Sequence, residues 1–214
     1  MMKRKYLYNT TVCLLVVTGF FSCDKGYKEL NVNPDAVITP TPAYVFTLAE
    51  YDGAGYNGGA YGTSAADFLL GTMQYTTSYN DVAGFGSKYI SSQVTQSEAS
   101  FSAAYPDEIN ELGIVIKTVK TDPSKVNLLA EARIWRVYCF MRLTDLYGDI
   151  PYSQAGLGYD SSVYKPVYDP QQTIYTNLLS ELDAAAQSLD ASKATFGSSD
   201  LIYGGNTAQW MKFA

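Results

Sequence analysis

Residues 128–152, LLAEARIWRVYCFMRLTDLYGDIPY, restrict the possible folds more than any other stretch of the chain. Leu128, Ala132, Trp135, Cys139, Leu143 and Leu146 recur at steps of three and four and trace one face of a helix. Ala130, Ile134, Val137, Tyr138 and Met141 cover a second face. The polar residues left over form two narrow strips, Arg133, Arg136 and Thr144 on one and Glu131, Arg142 and Asp145 on the other. A helix apolar around most of its circumference is covered by protein on several sides. The spacing therefore predicts a central helix between packed layers. Its stop is explicit: Gly148 can take the left-handed conformation after the last turn, and Pro151 prevents resumption.

The flanking sequence supplies partners for such a helix. Val45, Leu48 and Ala49 give a short helix over 44–51, and Phe68, Leu69, Met73 and Thr76 follow Ala65 in a helical pattern over 64–79. Ile109, Leu112, Ile116 and Val119 make a stripe along 107–120, and Asp122-Pro123-Ser124 turns that helix into the central one. A further helix begins near Asp169, which is placed to cap it, with Pro170 in the first turn and Gln172 completing a capping-box pattern. Ile174, Leu178, Leu182, Ala185 and Leu189 run down its apolar face. Asn206 is placed to cap a last helix in which Trp210 and Phe213 begin an apolar stripe with no turns after it, so uncovered apolar surface is expected there.

Long loops separate these elements. The segment 51–62, YDGAGYNGGAYG, reads as a glycine-rich connector or as a loop presenting rings to a ligand. Residues 80–100 read as polar surface loop, and 153–168 as a glycine-, serine- and tyrosine-rich excursion. The fold class is mainly all-α, built from helix pairs of tetratricopeptide type without a strict repeat.

What such a chain can do is bounded by what it lacks. Histidine is absent, which removes His-based triads, general bases and metal ligands. That excludes a large fraction of ordinary enzyme mechanisms, and no catalytic, metal or cofactor residue is singled out. The net charge of −6 argues against nucleic-acid binding, which needs a cationic footprint. Lys3, Arg4 and Lys5 followed by the apolar run 11–21 make an export leader too short to span a membrane. It ends Phe20-Phe21-Ser22-Cys23, a small residue before cysteine as in a bacterial lipobox, which makes Cys23 the expected lipidation site. A plain secretory leader with an incidental cysteine is the alternative. Cys13 lies inside the leader, so Cys139 is left without a disulfide partner and reads as a small buried apolar residue.

Tyrosine occurs 19 times, about twice an average composition, which suits either core and boundary packing or a ring-lined ligand surface. Aromatic faces stack on sugar rings while amide and carboxylate groups bond the hydroxyls. On that chemistry Tyr75, Tyr79, Asn80 and Asp81, at a helix end and the start of a polar loop, are the candidate ligand-binding residues. Asp145 and Asp149 are the only acids tied to a marked motif. The former is expected to pair with Arg142 and the latter to cap or brace the turn, rather than to form a glycosidase pair.

The run AEARIWRVYCFMRLTDLYGDIPY resembles the SusD/RagB family of Bacteroidetes outer-membrane nutrient-binding lipoproteins, whose hallmark is an alanine- and arginine-bearing helix ending in Tyr-Gly-Asp-Ile/Val-Pro-Tyr. Asn33-Pro34-Asp35-Ala36, Met73-Gln74-Tyr75, the aromatic pair Phe101 and Tyr105, the Tyr168-Asp169 helix start and DLIYGGN…W…KFA at 200–214 extend the resemblance. It implies a SusD-like helical fold of which this chain is roughly the first half, incomplete at its C-terminus. The expected organisation is a signal peptide over 1–22, a lipid-anchored tether over 23–42 and the helical body over 43–214. The implied role is a non-enzymatic cell-surface lipoprotein. It would bind an oligosaccharide or a peptide and deliver it to a SusC-type TonB-dependent transporter in the outer membrane. A helical adaptor that docks the transporter without a small ligand, or a surface glycosidase, are the competing readings.

Overall fold

The computed structural model describes residues 40–56, 69–75 and 94–214. Among these, α1 spans Pro42–Tyr51, α2 Leu70–Thr72, α3 Val94–Ala104, α4 Asn110–Val119 and α5 Val126–Tyr147. They are followed by α6 (Gly158–Ser161), α7 (Gln171–Ser188) and α8 (Thr207–Phe213). No strand occurs among the described residues, and the one β-type pairing is the isolated antiparallel bridge between Ile150 and Asp169. The fold is all-α, as the periodicity predicts.

α5 is the central helix, packing most extensively on α7 and also on α4, which in turn packs on α1. Its two apolar sides feed two cores. Ala132, Trp135 and Cys139 join Phe46, Leu112, Val115 and Trp210 in one, while Val137, Phe140 and Leu143 join Ile109, Ile150, Ile174 and Leu178 in the other. Full burial of each large side chain contributes about 1.5–3 kcal/mol, so two cores fed by one helix tie the remaining elements to it. Phe140, fully buried, falls outside both predicted stripes, because the helix is covered on a wider arc than two stripes describe. Cys139 is a free, buried thiol whose pKa burial pushes well up, which matches its reading as an apolar filler.

Polar links fix how the helices meet. Arg133 on α5 donates from Nε and Nη2 to the two oxygens of Glu181 on α7, at 2.6 and 2.8 Å. Trp135 Nε1 donates to the Ala49 carbonyl at 2.9 Å. A Cβ added at Gly53 would sit 2.8 Å from that indole nitrogen, so the glycine permits the backbone after α1 to lie against α5. The first residues of the glycine-rich segment are thus packed; those from 57 to 68 lie outside the described residues.

The segment leading into α8 is lashed to α1 and α5. Asn127 donates to the carbonyls of Asp190 and Lys193, and Thr47 donates to that of Ser199. Glu50 accepts from the Leu201 N–H at 2.7 Å, and Glu131 accepts from that of Phe196 at 3.4 Å. Asp200 accepts from the N–H groups of Ile202, Tyr203 and Gly205 and from Trp210 Nε1. Asn206 caps α8 through the Gln209 N–H, as expected. The expectation of an uncovered stripe holds at Phe213, which is 38% exposed, and is corrected at Trp210. That ring is fully buried against Phe46, Trp135 and Tyr203, because the lashed segment folds α8 back over α5.

Three local expectations are also corrected. Residues 94–100 belong to α3 rather than to a loop; the serines hide a helix that is held by tertiary bonds to its Ser97 and Phe101 backbone. The helix expected to run to Tyr79 ends at Thr72, where Gln74 adopts a positive φ of 61° and closes the turn. α7 starts at Gln171 without a side-chain cap from Asp169, whose carboxylate is taken by the Tyr152–Ser153 turn instead.

Candidate functional site

The end of α5 builds an aromatic part of the described surface. The helix stops at Gly148, whose N–H bonds the Thr144 carbonyl while the Thr144 hydroxyl donates to the Gly148 carbonyl. Gly148 has the expected positive φ, 74°, but its ψ of −120° departs from the left-handed helical value and turns the chain sharply into Asp149-Ile150-Pro151. Asp149 then accepts from the Gln171 N–H at 2.9 Å, so it braces the turn by capping α7, and Gln171 Nε2 donates to the Thr144 carbonyl. Asp169 accepts from the Tyr152 and Ser153 N–H groups and from the Ser153 hydroxyl. Burial works to raise its pKa, and these donors outweigh it and hold the carboxyl below the usual range.

This bracing brings together four rings from three segments. Tyr147, at the end of α5, donates its hydroxyl to the Ser97 carbonyl at 2.6 Å and accepts from the Phe101 N–H, clamping α3 in place. Tyr105 donates to the Pro151 carbonyl at 2.7 Å, and burial pushes its phenol pKa up. Phe101 lies in the centre, 5.1 Å from Tyr105, 5.3 Å from Tyr147 and stacked at 6.4 Å on Tyr168. Two open depressions share Phe101 and Tyr168 as a common wall. One, of about 440 Å³, is lined further by Tyr105, Pro151, Gln154 and Lys165. The other, of about 330 Å³, is lined further by Ser97, Glu98, Tyr147 and Asp149. Tyr168 is 61% exposed, which leaves its ring available to stack with a ligand. Flat rings flanked by amide, carboxylate and ammonium groups are suited to hold a sugar by stacking and hydroxyl bonding.

Of the candidate ligand-binding residues read from sequence, only Tyr75 can be located. Tyr75 follows α2, is 78% exposed and lines neither depression, while Tyr79, Asn80 and Asp81 lie outside the described residues, as does Cys23. The rings at 101, 105, 147 and 168 fall in motifs of the family resemblance, and Phe101 and Tyr105 are spaced i, i+4 on one helix face, but nothing in the sequence marks them as one surface. Asp145 accepts from the Tyr175 hydroxyl rather than pairing with Arg142, which donates to the Gly53 carbonyl. Both motif acids are therefore engaged in structural bonds.

Residues 34–214 match the profile of the SusD-like family described as starch-binding and associating with the outer membrane. The chain belongs to the SusD-like family. Among solved structures, a Bacteroidetes AC2a SusD-like protein aligns with a TM-score of 0.70 at 29% identity, over 81% of this chain and 31% of that one. A chitin-binding protein aligns with a TM-score of 0.68 at 31% identity, over 81% of this chain and 36% of that one. This SusD-like chain thus spans about a third of the length of these two structures. No curated protein sequence matches it. No described helix of the SusD-like chain is long and apolar enough to cross a membrane.

Proposed function

We propose that the chain is part of a cell-surface nutrient-binding lipoprotein that holds a glycan against the Phe101–Tyr168 rings. It passes that glycan to a SusC-type TonB-dependent transporter. The observation that carries this reading is the aromatic wall shared by two open depressions in a SusD-like chain. The chitin-binding protein among the structural relatives favours a neutral oligosaccharide over a peptide. Residues 1–22 act as the signal peptide, Cys23 carries the lipid and 23–42 form the tether to the outer membrane. The activity is binding without turnover, since the two motif acids are committed to Tyr175 and Gln171.

Isothermal calorimetry with chito- and malto-oligosaccharides tests the site. Saturable binding that weakens at least tenfold in Tyr168→Ala is expected, in line with the ~1.4 kcal/mol or more that a lost ring stack represents. Binding unchanged in that variant would place the ligand elsewhere, and no binding of any oligosaccharide or peptide would favour a docking adaptor. Lipid labelling in cells tests the anchor. The label should vanish in Cys23→Ser, and its persistence would remove Cys23 from the proposal.

A further inference from the structure

A third depression lies on the other side of the Ala155–Leu157 segment, between α4 and α5, and has a different chemistry. It encloses about 550 Å³, within the range of small-molecule sites, and is lined among others by Arg136, Lys117, Lys120, Asn110, Gly113 and Leu157. Among the described residues, three cations and no acid line it, in a chain whose net charge is −6. Among the described residues, the carboxylate that acts on Arg136 is that of Glu181, and that group is already held in a two-point bond by Arg133. Arg136 itself has its guanidinium over the Phe140 ring at 4.9 Å, and its buried Nε has no hydrogen-bond partner among the described residues. A buried donor left without an acceptor costs about 1–3 kcal/mol, a cost that a bound anion removes.

Gly113 points the same way. A glycine inside a helix costs ~1 kcal/mol relative to alanine, and here no packing demands it, because an added Cβ would meet nothing within 4 Å. The space it leaves opens onto the depression. We propose that this cavity is a second ligand site, for the carboxylate of an acidic sugar of the uronate class. Arg136 would engage the carboxylate with its planar fork, Lys117 and Lys120 would supply the surrounding positive field, and the apolar walls would take the ring. This proposal rests on the glycan-binding reading, but its depression shares only Ala155 and Gly156 with the Phe101–Tyr168 surface and none of its rings or charged groups, so the two can fail separately.

The test is calorimetry of the protein with glucuronate, glucose and sulfate, read beside chito-oligosaccharide binding in the same samples. Glucuronate should bind saturably, at least tenfold tighter than glucose, and more weakly as sodium chloride is raised. Gly113→Leu should fill the mouth without lowering the thermal midpoint and reduce glucuronate binding at least tenfold. Lys117→Gln with Lys120→Gln, two exposed changes, should weaken it several-fold, while Tyr168→Ala should leave it unchanged. Glucuronate no tighter than glucose, or undiminished in both cavity variants, would overturn the site. Sulfate binding as tightly as glucuronate would overturn the sugar assignment. Loss of chito-oligosaccharide binding alone would count only against the aromatic surface.

Discussion

Glu50 shows how one side chain can set a property of the whole fold. It is almost completely buried, beside Asp200 and Glu131, and accepts only the Leu201 N–H among the described backbone donors. Burial, reinforced by the neighbouring Asp200 and Glu131 carboxylates, raises its pKa from 4.5 to about 9, and burial raises that of Glu131 to about 8. The folded state therefore keeps protons that the unfolded chain releases above pH ~4.5. Stability from these groups is complete below that value and is lost as pH rises through about 8 and 9. Asp200 has the opposite sign. Burial opposes its ionisation, but its N–H and indole donors win, so its contribution is present above the normal carboxylate range and disappears in strong acid. The urea midpoint should thus fall from pH 5 to pH 8. Glu50→Gln, which keeps a donor beside Asp200 and removes the titration, should flatten that slope and raise stability at pH 8. An equal slope in the two proteins would show that Glu50 is ionised in the fold.

At the scale of the element, α5 was legible because its pattern is local. Its apolar faces, its end at Tyr147 and its glycine stop all follow from residues that are neighbours in sequence. α3 was not, because VTQSEASFSAA has little apolar content and is held by Tyr147, a residue 50 positions from Ser97. Asp169 misled for a related reason. Its position suits a cap, yet Tyr152 and Ser153 reach its carboxylate first, and Asp149 from the preceding turn caps α7. The candidate site shares this weakness: Phe101, Tyr147 and Tyr168 become neighbours only once three elements have packed, whereas Tyr75 is exposed and lines neither depression. Gly148 carries an element-scale prediction. At φ 74° and ψ −120° a Cβ is strained, so Gly148→Val should destabilise by ~1–3 kcal/mol in chemical unfolding even though nothing within 4 Å obstructs it. An unchanged midpoint would mean that the turn relaxes to ordinary backbone geometry.

Across the whole molecule, burial of Trp210 makes α8 part of the first core rather than an appendage. Its ring contacts Phe46, Trp135, Tyr203 and Phe213, and its Nε1 donates to Asp200 at 2.7 Å. Trp210→Ala should therefore cost ~3–5 kcal/mol, a large share of a typical domain's stability of ~5–15 kcal/mol. Near-UV circular dichroism and thermal unfolding would show it as a large drop in midpoint. A loss below ~1 kcal/mol would mean that α8 detaches without consequence to the core.

The lashing of the 190–206 segment onto α1 also sets the order in which the body can be completed. Thr47 meets Ser199 across 152 positions and Glu50 meets Leu201 across 151. Loop-closure entropy must be met before contacts so distant in sequence can reward it. A ribosome that has made α1, α4 and α5 has produced helices but not yet the ring that covers Phe46, because Phe196 and Trp210 are still to come. Synthesis of residues 196–210 acts as a clasp, and until it shuts, Phe46 lacks the rings that pack on it.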